Sequence, residues 1–328
     1  DKASLGGYGE LHYNNLSGEG DAGDHKQIDF HRFVLFFGYE FNEGLRFVSE
    51  FELEHSLAGD DKPGEVELEQ AYIEYDVNNQ LSVRGGVFLI PVGILNETHE
   101  PPTFYGVERN TVENVIIPST WWAGGAGFSL KLPAGFSLDL AVHEGLAIPV
   151  DGSNAFRVRS GRQKTAEANA SNLAATTRVK YTGVPGLEVG LSFQYQDDAS
   201  QEKNDGLDEG LLTETHLVYN KGMFGLRALY AHWKFEGDAV EDAGADSQKG
   251  WYIEPSLKFN PQWGVFTRFE DVDGARSRDE FEEVVAGVNY WPHEKVVIKA
   301  DYRVRDHDND ADEDRDFRGF DLGIGYQF

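Results

Sequence analysis

Cysteine is absent from this 328-residue chain, which removes disulfides and thiolate metal centres. That lack fits export through an oxidising compartment as well as it fits many cytosolic chains. Long apolar runs are missing too: none approaches the roughly 18 residues that a membrane helix needs. Positive charge is scarce. Acids outnumber bases 57 to 29, for a formal net charge of −28, so nucleic acid, which calls for clustered cationic surface, is not an expected partner. The start, DKASLGGYGE, has no initiator Met and no basic-then-apolar leader, as expected of a mature, processed form. The motifs of common enzymes are also lacking: there is no G-x-S-x-G, no H-E-x-x-H and no G-x-x-x-x-G-K. THEPP, VHEGL and PHEKV each hold a His-Glu pair without the second His that zinc hydrolysis requires. His12, His143, His216 and His232 are therefore read as lumen or interface residues, and the chain is not expected to be an enzyme.

What is present is alternation. The composition, with 37 Gly, one Met and 13% aromatics, favours strand over helix. In FRGFDLGIGYQF, residues 317–328, Phe320, Leu322, Ile324, Tyr326 and Phe328 share one parity, and Gly319, Asp321, Gly323, Gly325 and Gln327 the other. Such period-two patterning marks a strand with one apolar and one polar face. Sixteen such stretches are predicted, near 4–13, 28–40, 44–56, 66–76, 80–90, 121–132, 135–144, 173–182, 186–196, 211–220, 223–234, 250–259, 263–270, 282–291, 295–304 and 317–328. Within 66–76 the parity is inconsistent, because Val66 and Leu68 disagree with Ala71, Ile73 and Tyr75.

The connections sort into two kinds. Seven are short, among them NEG near 42–44, LPAG at 132–135, TGVPG at 182–186 and NKG at 220–222, and they alternate with eight longer ones of roughly 9 to 30 residues. All tight turns at one end and all long loops at the other is the plan of an all-β transmembrane antiparallel barrel, with periplasmic turns and extracellular loops. Closure is required because lipid cannot satisfy an open sheet edge. The last strand is therefore expected to pair with SLGGYGELHY, the apolar parity to face lipid and the polar parity a lumen. Tyr39, Phe41, Tyr75, Tyr181, Tyr219, Phe259, Trp263, Tyr290 and Phe328 gather beside the short turns, where an interfacial aromatic girdle belongs. A single domain over 1–328 in the bacterial outer membrane follows.

The stretch LSVRGGVFLIPVGILNETHEP, followed by IIPSTWWAGGAGFSL, resembles the phosphate-selective porin O and P family. So do ATTRVKYTGVPGLEVGLSFQYQ, GWYIEPSLKF, FTRFED and AGVNYWPHEKVVIKADYRVRD, with a weaker echo in IDFHRFVLFF. The resemblance implies a 16-stranded, usually trimeric pore for small solutes, a third loop folded into the lumen, and a C-terminal aromatic read by the barrel-assembly machinery.

On this parity the inward bases include Arg32, Arg46, Arg84, Arg178, Lys180, Arg227, Arg268, Lys299 and Arg303, and the inward acids include Glu50 and Glu52. Acids and bases nearly balance, so the charges either form separate ladders with a field across the constriction or pair between strands and stiffen the wall. The third loop, 91–120, carries Glu97, His99, Glu100, Glu108, Arg109 and Glu113. A phosphate filter of this family implies several lysines there, and the segment has none. A weakly selective or cation-leaning channel is the expectation; the alternatives are an anion- or phosphate-selective pore, and a barrel serving as a surface scaffold or receptor. In DHDNDADEDRD, Asp306, Asp308, Asp310 and Asp312 alternate as oxygen ligands that suit calcium, without an EF-hand's glycine and final Glu. No cofactor is required. Outer-membrane lipid, lipopolysaccharide and copies of the same chain are the expected partners.

Overall fold

The computed structural model describes residues 2–18, 23–203 and 205–328, so Asp1, residues 19–22 and one position of the acidic stretch 197–210 lie outside the described residues. The strands are β1 (Ala3–Gly18), β2 (His25–Asn42), β3 (Leu45–Glu54), β4 (Val66–Asp76), β5 (Leu81–Leu89), β6 (Trp122–Lys131), β7 (Phe136–Glu144) and β8 (Leu173–Tyr181). They continue as β9 (Leu187–Gln196), β10 (Gly210–Lys221), β11 (Phe224–Phe235), β12 (Ser247–Lys258), β13 (Trp263–Asp273), β14 (Glu280–His293), β15 (Val296–His307) and β16 (Phe317–Gln327). Each pairs antiparallel with its sequence neighbours, and β1 pairs with β16, so the sheet closes into a 16-stranded barrel. The C-terminus is held: Phe328 N–H donates to Gly7 O at 2.9 Å, and Gly7 N–H donates to Phe328 O at 3.1 Å.

The apolar parity faces outward. Phe51, Leu191, Ile298 and Leu322 stay more than a third exposed, whereas inward Glu50, Glu214 and Asp321 are buried. That inverts the arrangement of a water-soluble fold and is what a lipid surround demands. The broken parity of the fourth strand is a β-bulge. Glu50 pairs with Gln70 and Phe51 with Leu68, leaving Glu69 as the extra residue, so Val66, Leu68, Ile73 and Tyr75 are all exposed while Glu69 turns inward.

Several strands run past their predicted ends on the loop side. Asn14 pairs with Gln27 and Asn15 with Lys26, and β13 and β14 reach Asp273 and Glu280. The seventh loop thus shrinks to 274–279, shorter than the sequence suggested. Above the hydrocarbon belt both faces meet water, so pairing continues where alternation has stopped. At the other end the tight turns need left-handed backbone: Gly186 has φ +80°, and a Cβ there would sit 2.1 Å from Asn220 O.

The interior is not wholly polar. Val92, Leu95, Val112, Ile116 and Ile117 of the third loop pack with Leu212, Leu229, Trp233 and Tyr252, which point inward from β10 to β12. One side of the lumen is thereby an apolar core that seats the loop.

Candidate channel lumen

The third loop leaves β5, travels round the inner wall and returns to β6, and its hydrogen bonds mark the route. Ser192 Oγ donates to Pro91 O at 3.2 Å on β9, and Gly93 N–H donates to Glu214 at 3.2 Å on β10. Further on, Lys299 Nζ donates to Gly106 O at 3.0 Å and Val107 N–H donates to Asp301 at 2.8 Å, both on β15. Thr111 N–H then donates to Glu270 at 2.6 Å on β13, and Trp233 Nε1 on β11 donates to Ile116 O at 2.9 Å. The glycine-rich inner face of β16 makes room for this passage. A Cβ on Gly325 would lie 2.2 Å from Pro101 Cβ, and one on Gly323 would lie 3.2 Å from Val107.

The loop's own charges are engaged in holding it. Glu113, in the short helix α1 (Val112–Val115), accepts from Ile94 N–H at 2.6 Å, Leu95 N–H at 2.7 Å, Asn110 at 2.8 Å and Tyr252 at 3.1 Å. Glu108 meets His12 at 3.0 Å and Asn14 at 3.1 Å on β1. His99 meets Glu50 at 3.1 Å on β3. Glu97 pairs with Arg178 of β8, which also holds Asp139 at 2.8 Å. Arg109 donates to Thr120 Oγ1 at 3.0 Å and His99 O at 3.3 Å, within the loop itself. The Glu100 carbonyl receives Thr103 N–H at 2.9 Å and closes a tight turn.

The wall positions divide in the same way. Arg32 pairs with Glu10 at 2.9 Å and Glu52 at 3.5 Å, Arg268 with Glu254 and Glu270 at 3.1 Å each, and Arg303 with Asp321 at 2.6 Å. Arg46 pairs with Glu74 and, at 2.7 Å, with Asp76, while Lys180 lies 3.7 Å from Glu188. Arg227 donates to Thr103 O at 2.6 Å, and Arg84 lies over the Phe88 ring at 4.7 Å. Below the loop a polar vestibule of about 580 Å³ opens toward the turns, lined by Asp76, Ser82, Lys131, Asp139, Arg178 and Lys180 among others.

The fourth loop, 145–172, adds residues that sequence reasoning missed. Arg159 donates to Ser119 O and Arg162 to Thr120 O, both at 2.6 Å, and Lys164 pairs with Glu65 at 2.8 Å and with Glu67. Burial and the charges of Arg162, Arg157, Arg32 and Arg109 press the Arg159 guanidinium below its usual range. An Arg stays cationic all the same, so the crowding expresses itself as a positive field. Facing it is an acidic patch: Glu67, Glu54, Glu69 and Glu65 all act on Arg162, and ligand oxygens of Glu52, Glu67 and Glu69 lie within 4.8 Å of one another. The signal was present in FRVRSGRQK, the densest basic stretch of the chain.

Asp306, Asp308, Asp310 and Asp312 do not lie along one extended strand. Asp306 sits on β15, Asp308 follows it exposed, and residues 310–315 wind into a 3-10 turn that tucks Asp312 toward Arg315 at 3.2 Å. The alternating oxygens of an extended chain do not survive that winding, and these four are not among the described groups of three ligating side chains within reach of one ion.

A closed barrel with lipid-facing apolar residues and a loop-lined polar interior is the architecture of an outer-membrane porin. The chain belongs to the family described as phosphate-selective porin O and P, whose model matches residues 5–328. A relative from Aquifex aeolicus (strain VF5), an uncharacterized protein, is 32% identical over 349 residues, spanning 95% of this chain and 77% of that one. Among solved structures, the fold is similar to Salmonella typhi OmpF in complex with daunomycin, at 14% identity and a TM-score of 0.67 over 100% of this chain and 98% of that one. It is similar also to the outer membrane channel DcaP of Acinetobacter baumannii, at 13% identity and a TM-score of 0.62 over 99% and 97%. The trimer form of in-vitro folded Vibrio cholerae OmpT matches at 12% identity and a TM-score of 0.61 over 100% of both chains.

Proposed function

We propose that this porin is a weakly selective diffusion channel for small hydrophilic ions and solutes, whose constriction carries a field directed across the pore. The carrying observation is the separation of charge beside the third loop: Glu52, Glu67 and Glu69 stand on β3 and β4, while Arg109, Arg159 and Arg162 stand on loops. Opposed ladders of similar strength orient dipolar solutes and favour neither ion strongly. Glu52 and Glu67 also meet Arg32 and Lys164, and Arg109 braces the third loop, whereas Arg159 and Arg162 reach only backbone carbonyls among the hydrogen bonds described for them. The test is single-channel conductance in a planar bilayer with a salt gradient. Stepwise ohmic openings with a reversal potential near zero support this reading.

A second reading is favoured by the fourth-loop arginines, which supply the positive charge that the third loop lacks. If Arg159 and Arg162 hold phosphate, the reversal potential will be strongly anionic and millimolar phosphate will block chloride current. A membrane that stays silent around folded protein would point instead to a surface scaffold. A homotrimer in contact with lipid and lipopolysaccharide is part of the proposal, supported by family membership and by the trimeric Vibrio cholerae OmpT; chemical cross-linking in outer membranes checks it.

A further inference from the structure

We propose that Asp29, His31 and His55 form a binding site for a divalent transition-metal ion in the extracellular mouth of the lumen. The inference is independent of ion selectivity. Two departures from regular strand geometry build the cluster. In β2, Glu10 pairs with Arg32 and Leu11 with Phe30, so His31 is the extra residue of a bulge. Without that insertion Asp29 and Arg32, three positions apart, would face opposite sides of the wall. Just past β3, His55 and Ser56 take left-handed backbone, at φ +50° and +60°, which non-glycine residues adopt sparingly. That turn lets His55 N–H donate to His31 O at 3.2 Å.

The two imidazoles then converge on one oxygen. His31 Nδ1 lies 3.1 Å and His55 Nδ1 2.7 Å from Asp29 Oδ2, and one ligand atom from each of the three lies within 4.8 Å of the others. Two ligands on a tetrahedral zinc, each about 2.0–2.1 Å from the metal, sit about 3.3 Å apart, so small rotations admit an ion. His12 stacks on His31 with ring centroids 4.6 Å apart. Its own nitrogens face Glu108 at 3.0 Å and Glu10 at 3.3 Å. His12 is thereby committed to anchoring the third loop, and Glu10 is also held by Arg32 at 2.9 Å.

Chemistry narrows the ion. Two imidazoles and one carboxylate are a borderline set that suits zinc, copper, nickel or cobalt and ill suits calcium or magnesium. The side chains of His31 and His55 are 28% exposed and that of Asp29 12%, so the ion enters from water, and with three protein ligands a position remains for solvent. Such a site exchanges its metal rather than locking it in.

The test uses the full-length folded porin in detergent, titrated with zinc by calorimetry and with copper by electron paramagnetic resonance. One zinc per chain and nitrogen hyperfine structure on copper are expected. His31→Ala and His55→Ala should each weaken binding about 10- to 100-fold, and His293→Ala at the far end of β14 should not. Loss of binding must come with intact barrel circular dichroism and heat modifiability. Copper in wild-type protein showing oxygen-only coordination would overturn the proposal without recourse to any variant, as would equal zinc affinity in the His31→Ala, His55→Ala double variant.

Discussion

At the scale of single residues, the lumen separates charges that brace from charges that remain available to solutes. Arg268 is bound to carboxylates on its own strand and on β12, and Arg303 to one on β16, so their replacement is expected to loosen the wall more than to alter selectivity. Arg159 and Arg162 reach only backbone carbonyls among the hydrogen bonds described for them. Their double replacement by Ala should shift the reversal potential toward cations. A unit charge at 4 Å in water is worth about 1 kcal/mol, so the permeability ratio should change by about fivefold for each charge removed. Glu52→Gln should move the potential the other way. Both shifts should fade as ionic strength rises, since the Debye length falls to about 8 Å at physiological salt. Bilayer measurements at two salt concentrations check the signs.

At the scale of elements, the third loop is the part whose position decides the aperture. Glu113 satisfies two backbone N–H groups and two side chains from within the loop and from β12. Glu113→Ala would leave buried donors orphaned at about 1–3 kcal/mol each. The expected outcome is a larger mean conductance with flickering, read in single-channel traces. Gly325→Val attacks the opposite anchor. A side chain there overlaps Pro101, so the loop must lift from β16, and conductance should change while the barrel still folds. These anchors were not legible in the sequence, because Thr111 and Glu270 lie 159 positions apart and neither carries a local pattern that names the other. The glycines on the inner face of β16 were visible; that they leave space for a proline and a valine was not.

At the scale of the whole molecule, the organising fact is the inside-out distribution of apolar side chains. Leu191, near the middle of β9, is exposed to the surround, and its neighbour Ser192 is buried inward. Leu191→Arg should destabilise the barrel by about 2–4 kcal/mol, measured by reversible unfolding in lipid vesicles. An inward change at a similar depth should alter conductance with little effect on that unfolding midpoint. Closure supplies the remaining constraint: with β1 paired to β16, no strand edge meets lipid.

The number of strands, their order, the lipid-facing parity and the side on which the loops lie were written in the sequence by itself. Each rests on a period of two and on turn residues, which neighbouring positions are enough to display. The tertiary structure alone decided which charges pair, where the third loop rests, and that Asp29, His31 and His55 meet. Those outcomes depend on register between distant strands and on single inserted residues at His31 and Glu69. One bulge reverses the facing of everything beyond it, and no local pattern announces how the partner strand will answer.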